Sequence, residues 1–564
     1  MKMRPWIFAA LFPLILRAEP VAPLPNGALL LDPQHATWNK DGVLAPPRLQ
    51  PFPDGDGFDA DVVLAPVLPA EGGLVWETNL PKAGRYLVTL EFAQSRHGNG
   101  FEISAGEQVL SGFAPDTRRG MALQEVGALD LPEGAQTIQL KNTTTIENTF
   151  MSVGAVYLRP AAVCDMTRPE IRATLAQYKT HQTPKELSLP GVFSDHMVLQ
   201  RRMAAPVWGR AAAGAAVSVR FRGQTKETRA SDNGRWKVVL DPMEAGGPFE
   251  IEISDGAQTK RLSDVLVGEV WLGSGQSNME VSVKFLPGIT KPGAPYECDD
   301  DTKTLLESGC DPLIRISAVT RDHNKTPQWT ALTQENCLDV PALMSSVAVL
   351  LRKKLNIPVG VVVRCESSSS SGIWLSRDAV EGDMEIQRQL GEYAKNVYPQ
   401  LAAEYPEKLK AWELAQEKAK ADGSKPPARQ NPPPLPGGFV VGAASNGRFE
   451  HYGINYTNRI EPVIPFAVRG VVWDQGEGGT GIAGADQTAV MPALVRSWRT
   501  AWARPELPFL YVRKNQHPET LPGAMEALGN TVQINNRGLG QINHPPDKAA
   551  YARRVFEQME RLLY

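Results

Sequence analysis

One serine lies between an amide and an asparagine at a point where an apolar run ends. The run VLVGEVWLGSG, which begins at Val265, gives way to Gln276, Ser277 and Asn278. A serine that acts as a nucleophile needs a sharp exposed turn, backbone donors beside it and a base brought from elsewhere in the chain. Ser277 is therefore a candidate nucleophile, and a serine that only fills a turn is the alternative.

A nucleophilic serine needs a base with a pKa near neutrality, which points to a histidine. Four of the eight histidines fall in segments predicted as β-strands or as a connector, and the other four remain candidates: His323, His451, His517 and His544. His544 is the best placed, because it follows the last strand-like segment, precedes Pro545 and Pro546, and leads into a terminal helical pattern. A histidine before prolines that serves only as a turn residue is the alternative.

Ser277 and His544 belong to two of four polar segments that follow apolar strands. These segments are GSGQSNM around Ser277, CESSSSSG at 365–372, WDQGEGGTG at 473–481, and INHPPDK around His544. The reacting groups of parallel α/β sheets collect at the carboxyl ends of the strands. We therefore expect the four segments to meet at one edge of a sheet.

The pattern along the chain predicts several domains. Short alternating segments over residues 19–160 predict a β-sandwich, and 161–187 predicts a helical connector. A small all-β domain is predicted over 188–262. From 263 to 564, near-continuous apolar strands alternate with helices, which predicts a parallel sheet covered on both faces. The fold class is thus an α/β/α domain preceded by two all-β sandwich domains.

Two helices of the α/β region are read directly from the sequence. ALMSSVAVLLRKKL is one, and AVMPALVRSWRTAW is another that places Val490, Leu494, Trp498 and Trp502 on one face. Residues 385–440 are charged and helix-prone, then proline-rich, which predicts an inserted arm with a solvated face.

The charge balance excludes some partners. The chain has 62 acidic and 59 basic residues and a net charge of −3, so neither a nucleic acid nor a steered anionic substrate is indicated.

The N-terminus has Lys2 and Arg4, an apolar stretch from Trp6 to Leu16, and Ala18, which predicts a signal peptide over 1–18 and a secreted or periplasmic protein. A short N-terminal anchor is the alternative. No later segment is long and apolar enough to span a membrane.

The cysteines indicate no metal site. The chain has five, and no pair has metal-ligand spacing. Cys298 and Cys310 flank an acidic loop that they could close as a disulfide in an oxidising compartment. The other three, Cys164, Cys337 and Cys365, are expected to be small buried hydrophobic residues.

Six segments together resemble the sialate O-acetylesterase family, which are carbohydrate esterases of the SGNH-hydrolase superfamily. In chain order they are GVFSDHMVLQR, PVWGRA, DVLVGEVWLGSGQSNMEVSV, PVGVVVRCESSSSSGIWLS, VRGVVWDQGEGG and HPPDK. The similarity covers residues 188–564, and the G-Q-S-N-M block with its preceding strand is the most specific part. The N-terminal sandwich resembles accessory carbohydrate-binding modules in pattern only.

The resemblance implies a flavodoxin-like α/β/α core in the last domain, Ser277 as nucleophile and His544 as general base, with no metal or organic cofactor. It also implies an oxyanion hole formed by the backbone N–H of Ser277 and by donors of the second and third blocks. The residues predicted to form the oxyanion and substrate site are Gln276, Asn278, Ser367, Ser368, Gln475, Gly476 and Glu477.

The chain departs from the family pattern at three places. Where the second block commonly reads W-G-G-T, this chain has Glu366, Ser367, Ser368 and Ser369. The third block reads QGEGG from Gln475 in place of Q-G-E-S-N. The carboxylate that usually precedes the histidine by two or three residues is replaced by Gln541 and Ile542.

Two main functions remain open at this point, and hydrolysis of a different ester in the same pocket is a third possibility. The first is a secreted esterase that removes acetyl groups from a carbohydrate by a Ser–His acyl-enzyme mechanism. The second is a carbohydrate-binding protein of the same fold with weak or no catalysis, because a fold does not guarantee activity. The sugar, the ligand of the sandwich and the oligomeric state are not predicted.

Overall fold

The computed structural model describes most of the chain. The described residues are 20–23, 28–40, 43–45, 49–54, 61–68, 73–95, 99–114, 122–144, 150–160, 186–285, 311–319, 327–425, 427, 433–434, 453–514, 517–539, 545 and 547–564. The predicted signal peptide, nearly all of the connector, the Cys298–Cys310 loop and His544 lie outside these ranges, so those predictions stay predictions.

The chain divides into two compact units. One comprises Met1–Gly55 and Asp61–Gln182, and the other Asp56–Ala60 and Thr183–Tyr564. No helix in the described ranges is long and apolar enough to cross a membrane.

The described part of the first unit is built of β-strands. They are β1 (Leu29–Leu31), β2 (Thr37–Lys40), β3 (Val43–Ala45), β4 (Leu49–Asp54), β5 (Asp61–Leu68), β6 (Gly73–Leu80), β7 (Gly84–Ser95), β8 (Asn99–Ala105), β9 (Gln108–Ala114), β10 (Ala122–Leu131), β11 (Gly134–Thr144) and β12 (Phe150–Pro160). They form two six-stranded sheets, one in the order β10-β7-β12-β5-β4 with β1 beside β12, the other β3-β2-β6-β11-β8-β9.

The two sheets share one hydrophobic core. Trp76 and Phe101 come from one sheet, Leu90 and Val156 from the other, and all four side chains are buried in the same cluster. The alternation of side chains along each strand explains why one face of each sheet is apolar. In β6, Leu74 and Trp76 are buried, whereas Asn79 is exposed. A carbohydrate-binding role for this unit stays a prediction.

The second unit contains the remaining described elements. Its strands are β13 (Val198–Gln200), β14 (Ala205–Arg210), β15 (Ala216–Phe221), β16 (Gln224–Arg229), β17 (Arg235–Leu240), β18 (Gly246–Ser254), β19 (Thr259–Gly275), β20 (Ile314–Ala318), β21 (Trp329–Ala331), β22 (Val359–Cys365), β23 (Gly470–Asp474), β24 (Phe509–Val512) and β25 (Thr531–Ile534). Its α-helices are α1 (Ser277–Glu280), α2 (Ala342–Leu355), α3 (Arg377–Gly382), α4 (Met384–Asn396), α5 (Tyr398–Asp422), α6 (Gln487–Ala501), α7 (Leu521–Glu526) and α8 (Lys548–Leu563).

A parallel sheet forms the centre of this unit. Neighbouring strands run in the order β20-β22-β19-β23-β24-β25, all parallel. Without β20, which lies between β22 and the antiparallel β21, the other five parallel strands follow the chain order 2-1-3-4-5. This is the flavodoxin-like order that the resemblance implied. The chain fills one side of β19 first and the other side afterwards, so β19 lies at the topological switch point.

Side chains alternate between two cores on the two faces of this sheet. Val270 and Leu272 of β19 pack in one hydrophobic cluster, and Trp271 between them packs in the other. The predicted face of α6, from Val490 to Trp502, is buried in the first cluster, whereas α2 and α8 contribute to the second. The predicted three-layer arrangement of a parallel sheet between helices is therefore present.

The segment predicted as a small all-β domain shares a sheet with the α/β region. Strand β19 is 17 residues long and continues across the predicted boundary at 262/263. Its first part pairs antiparallel with β18, and its last part pairs parallel with β22 and β23. Strands β15, β16 and β18 thus extend an eleven-stranded sheet, while β14 and β17 pair separately. A boundary at this position stays a prediction.

The predicted inserted arm begins as two helices. Helices α4 and α5 carry many exposed charged residues, and Ala419 is the buried residue of α5. The proline-rich part after residue 427 lies mostly outside the described ranges.

Candidate active site

Three neighbouring strands end side by side at the switch point. Gly275 of β19 is in register with Cys365 of β22 on one side and with Asp474 of β23 on the other. The backbone N–H of Glu366 donates to Gly275 O at 3.0 Å, and that of Gln276 donates to Asp474 O at 2.9 Å. The structure thus brings together three of the four polar segments, as the sequence predicted.

Ser277 is the first residue of α1, directly after this junction. Its side chain is half-buried, whereas Gln276 and Asn278 on either side are buried. A glycine is required at position 275, two residues before Ser277. A Cβ there would lie 2.1 Å from Asp474 O, and the residue has a φ of +127°. The turn is therefore sharp and tightly packed, with Ser277 accessible at its start.

The second block approaches the helix of Ser277 through Ser367. Its backbone N–H donates to Glu280 Oε2 at 2.9 Å, and its hydroxyl donates to the same oxygen. The peptide N–H of Ser367, one of the two predicted oxyanion donors, is thus engaged by a carboxylate of α1. Ser368, the other, is exposed and has the left-handed φ of +63°.

The third block packs on the second. Gln475 Nε2 donates to Ser369 O at 3.0 Å, and the N–H of Ser371 donates to Gly479 O at 3.0 Å. A Cβ on Gly478 would lie 2.5 Å from Ser369 O, which explains a glycine where the family pattern has serine. The second and third blocks therefore pack on each other.

A group of buried charged side chains lies next to the nucleophile turn. We call Asp474, Glu477, Lys514 and Lys548 the charge cluster. Lys514 Nζ lies 2.5 Å from Asp474 Oδ1 and 2.8 Å from Glu477 Oε1, and the side chains of Lys514 and Asp474 are fully buried. Tyr551 donates its hydroxyl hydrogen bond to Asp474 Oδ2.

Within the charge cluster, burial and the contacts with opposite charges act on the pKa values of Asp474 and Lys514 in opposite directions. Burial opposes the charge on Asp474, but Lys514 and Tyr551 hold the pKa of that carboxyl below its usual value. Burial likewise opposes the charge on Lys514, yet the carboxylates of Asp474 and Glu477 raise its pKa. Lys548 is less well compensated, and burial lowers its pKa to about 8.

Of the four candidate histidines, His517 is the one in the described ranges. It is buried, its Nδ1 accepts from the Lys514 N–H at 3.3 Å, and burial together with Lys514 and Arg513 lowers its pKa to about 4. A Cβ on Gly476 would lie 2.1 Å from His517 Nε2, so Gly476 is a packing requirement. His517 therefore supports the third block as a neutral side chain.

The last residue of the histidine block contacts Asn278, the residue after Ser277. This residue, Lys548, begins α8 and donates from Nζ to Asn278 Oδ1 at 2.6 Å. Asp547 caps the helix by accepting from the Ala550 N–H at 2.7 Å. His544 is four residues before Lys548 in the sequence and lies outside the described residues.

Sequence reasoning missed Asp474, Lys514, Lys548, Tyr551 and Glu280. A signal for the first two existed, because Asp474 ends one buried strand and Lys514 follows the next, and adjacent parallel strands end at the same edge. The buried cysteines agree with expectation where they are described: Cys337 and Cys365 are free and buried, and burial raises the pKa of the Cys365 thiol to about 12. No group of three potential metal ligands occurs in the described ranges.

The fold and the site define the class of protein as an α/β protein with a candidate nucleophilic serine at the switch point of a parallel sheet. The chain is 28% identical over 323 residues to the sialate O-acetylesterase of Rattus norvegicus, covering 54% of each chain. It is 26% identical over 334 residues to that of Homo sapiens, covering 55% of this chain and 52% of the relative. The resemblance to the sialate O-acetylesterases is thereby confirmed.

The chain spans about half the length of these curated relatives. A solved structure of a novel carbohydrate acetylesterase from Xanthomonas citri is 23% identical, with a TM-score of 0.48, and covers 67% of this chain and 75% of that one. No family model matches the chain.

Proposed function

We propose that this chain is a secreted carbohydrate esterase that removes O-acetyl groups from a sialic acid or another acetylated glycan. The reaction would proceed through an acyl-enzyme on Ser277, with His544 as general base. The names of the curated relatives support the ester chemistry and the carbohydrate substrate.

The reaction has two halves. Ser277 Oγ attacks the acetyl carbonyl carbon while His544 takes the hydroxyl proton, and the proton is then given to the sugar oxygen as the bond to the acetyl group breaks. Water next attacks the acyl-enzyme while His544 takes its proton. Acetate leaves, and the proton returns to Ser277.

The observation that carries the proposal is the position of Ser277. It begins a helix directly after the central strand, at the switch point where α/β sheets bind their ligands. A serine that only fills a turn has no need of packed loops from both neighbouring strands. The nucleophile is therefore the better interpretation.

The contact of Lys548 with Asn278 supports His544 as the base. It brings the start of α8 to the residue after Ser277, and His544 is only four residues earlier in the sequence. Four residues of chain span at most about 14 Å, a length that is compatible with His544 as the base.

The proposal assigns the oxyanion hole to the backbone N–H groups of Ser277 and Ser368. Ser367 N–H is the less suitable of the two predicted donors, since it already donates to Glu280. Such donors must be aimed at the charge that develops on the carbonyl oxygen, and losing one typically costs about 10²–10³ in turnover.

The test is acetate release by the purified protein from O-acetylated sialic acid and from acetylated xylan, with p-nitrophenyl acetate as a general probe. Ser277→Ala is expected to lower kcat/KM by at least about 10³-fold. Ser282→Ala, a half-buried serine five residues later, is the matched control and should retain activity. Equal background release by wild type and Ser277→Ala would reject the esterase in favour of a non-catalytic binding protein.

A further inference from the structure

The charge cluster takes no part in the acyl transfer as proposed, yet it lies directly beside the nucleophile. Asp474, Lys514 and Lys548 are each at most 2% exposed, and the Glu477 side chain is 13% exposed. Two carboxylates and two ammonium groups thus balance in charge within one small buried volume.

The cluster holds the residues on both sides of Ser277. On one side, Gln276 Nε2 donates to Glu477 Oε2 at 2.5 Å. On the other side, Asn278 accepts from Lys548 at 2.6 Å and directs its Nδ2 towards Asp474 Oδ1 at 3.5 Å.

Lys514 connects the two sides. It contacts Asp474, which faces Asn278, and Glu477, which faces Gln276. The lysine lies two residues after β24, whereas both carboxylates belong to β23 and its following loop. One side chain that follows a neighbouring strand therefore fixes the two carboxylates that flank the turn.

Stability alone does not account for such a cluster. Removing charges from water is costly, and a buried ion pair can often be replaced by well-packed apolar residues with no loss of stability. What apolar residues cannot supply is a set of directional hydrogen bonds to the Gln276 and Asn278 side chains. Geometry at a reacting group is sensitive, since a displacement of about 1 Å can cost about 10²-fold in rate.

We propose that Lys514 is a positioning residue that, through Asp474 and Glu477, fixes the Gln276 and Asn278 side chains and thereby the direction in which Ser277 presents its hydroxyl. The inference rests on the proposed esterase function. It adds a role for Lys514, a residue two positions after β24 that none of the sequence blocks contains.

The test replaces the buried ion pair by apolar residues of similar size. Asp474→Leu with Lys514→Met is expected to lower the midpoint of chemical unfolding, because Tyr551 and Glu477 each lose a partner, and to leave the protein folded without denaturant. It should lower kcat for p-nitrophenyl acetate by about 10- to 100-fold and leave KM within about 2-fold. A folded double variant with the kcat of the wild type overturns the proposal.

The matched control is a second buried ion pair on the same strand as the nucleophile turn but at a distance from it. Glu269 of β19 lies six residues before Gly275, is fully buried, and pairs with the half-buried Arg469 and also with Arg201. Glu269→Leu with Arg469→Met should leave kcat unchanged. A similar fall of kcat in this control would show that any buried pair has the same effect, which contradicts a specific role of Lys514.

A second measurement separates this proposal from the esterase proposal. Amide hydrogen exchange of the peptide 276–281 should become faster in the Asp474→Leu, Lys514→Met variant, whether or not the protein hydrolyses esters. A wild type without esterase activity rejects the function, while unchanged exchange in a folded variant rejects the positioning role.

If the double variant does not fold, Glu477→Gln serves in its place, because Glu477 is the least buried member of the cluster. It removes the charge that Lys514 contacts and is expected to lower kcat by about 3- to 10-fold and to speed exchange of the same peptide. Wild-type values of both quantities would overturn the proposal.

Discussion

Ser368 shows how a single residue departs from the pattern around it. It lies where the resemblance places a glycine, and it nevertheless adopts the left-handed φ of +63° that glycine adopts without strain. Ser369 beside it is buried and accepts from Gln475 and Trp374, so the neighbouring packing determines the conformation. Backbone geometry thus explains why the family pattern has a glycine at this position. Ser368 adopts the same geometry at a cost in folding free energy.

Replacing Ser368 should reveal that cost. A residue with a Cβ is disfavoured in the left-handed conformation by roughly 1–2 kcal/mol. A glycine avoids this strain, but part of the gain is lost because glycine makes the unfolded chain more flexible. We expect Ser368→Gly to be about 1 kcal/mol more stable to urea unfolding than Ser368→Ala. The side chain is exposed, so packing contributes little to the difference. An alanine variant equal to or more stable than the glycine variant would contradict this explanation.

At the scale of elements, strand β19 decides where the site forms. It is central in the parallel sheet, and its last residue meets β22 and β23 in register. The long apolar run predicts the strand, but only the close approach of Gly275 to Asp474 O explains why the run ends in glycine. The position of Ser277 therefore depends on a contact between two backbones.

Two glycines of β19 provide a matched comparison. A Cβ on Gly275 would lie 2.1 Å from a backbone oxygen, whereas on Gly273 it would lie 2.6 Å from the side chain of Met344, which can move. We expect Gly275→Ala to lower the free energy of unfolding by about 4 kcal/mol or more and Gly273→Ala by about 1–3 kcal/mol. Urea unfolding measures both, and equal losses would contradict the backbone-contact argument.

At the scale of the whole molecule, the candidate site belongs to one of the two units. Ser277, the charge cluster and the loops beside them all lie in the unit that includes Thr183–Tyr564. The described hydrophobic clusters also separate, because the core of the first unit contains none of the residues of the other two clusters. The second unit thus has the core of an independent domain.

A chain that begins at Thr183 tests this division. We expect it to fold cooperatively and to hydrolyse p-nitrophenyl acetate with kcat/KM within about 2-fold of the full chain. If the first unit binds carbohydrate, activity on acetylated xylan should fall by a larger factor, because only the polymer engages a binding module. Loss of activity on the small ester by a folded, truncated protein would show that the first unit contributes to the site itself.

The sequence by itself determined the strands, the parallel sheet with its two helical layers, and Ser277 at the end of an apolar run. These follow from short-range patterns, since burial on both faces of a sheet imposes continuous apolar strands and the turn chemistry is local. It also predicted that the polar blocks would meet, because parallel strands end at a common edge. The choice of His544, the base of the mechanism, still rests on sequence order.

Only the tertiary structure decided which polar groups pair. Glu280 accepts a hydrogen bond from the N–H of Ser367, and Lys514 contacts both Asp474 and Glu477. These partners come from different strands and loops, so no local pattern relates them. Their pairing is imposed by burial, because a charge removed from water must find an opposite charge or a hydrogen bond within the few ångströms that the sheet register allows.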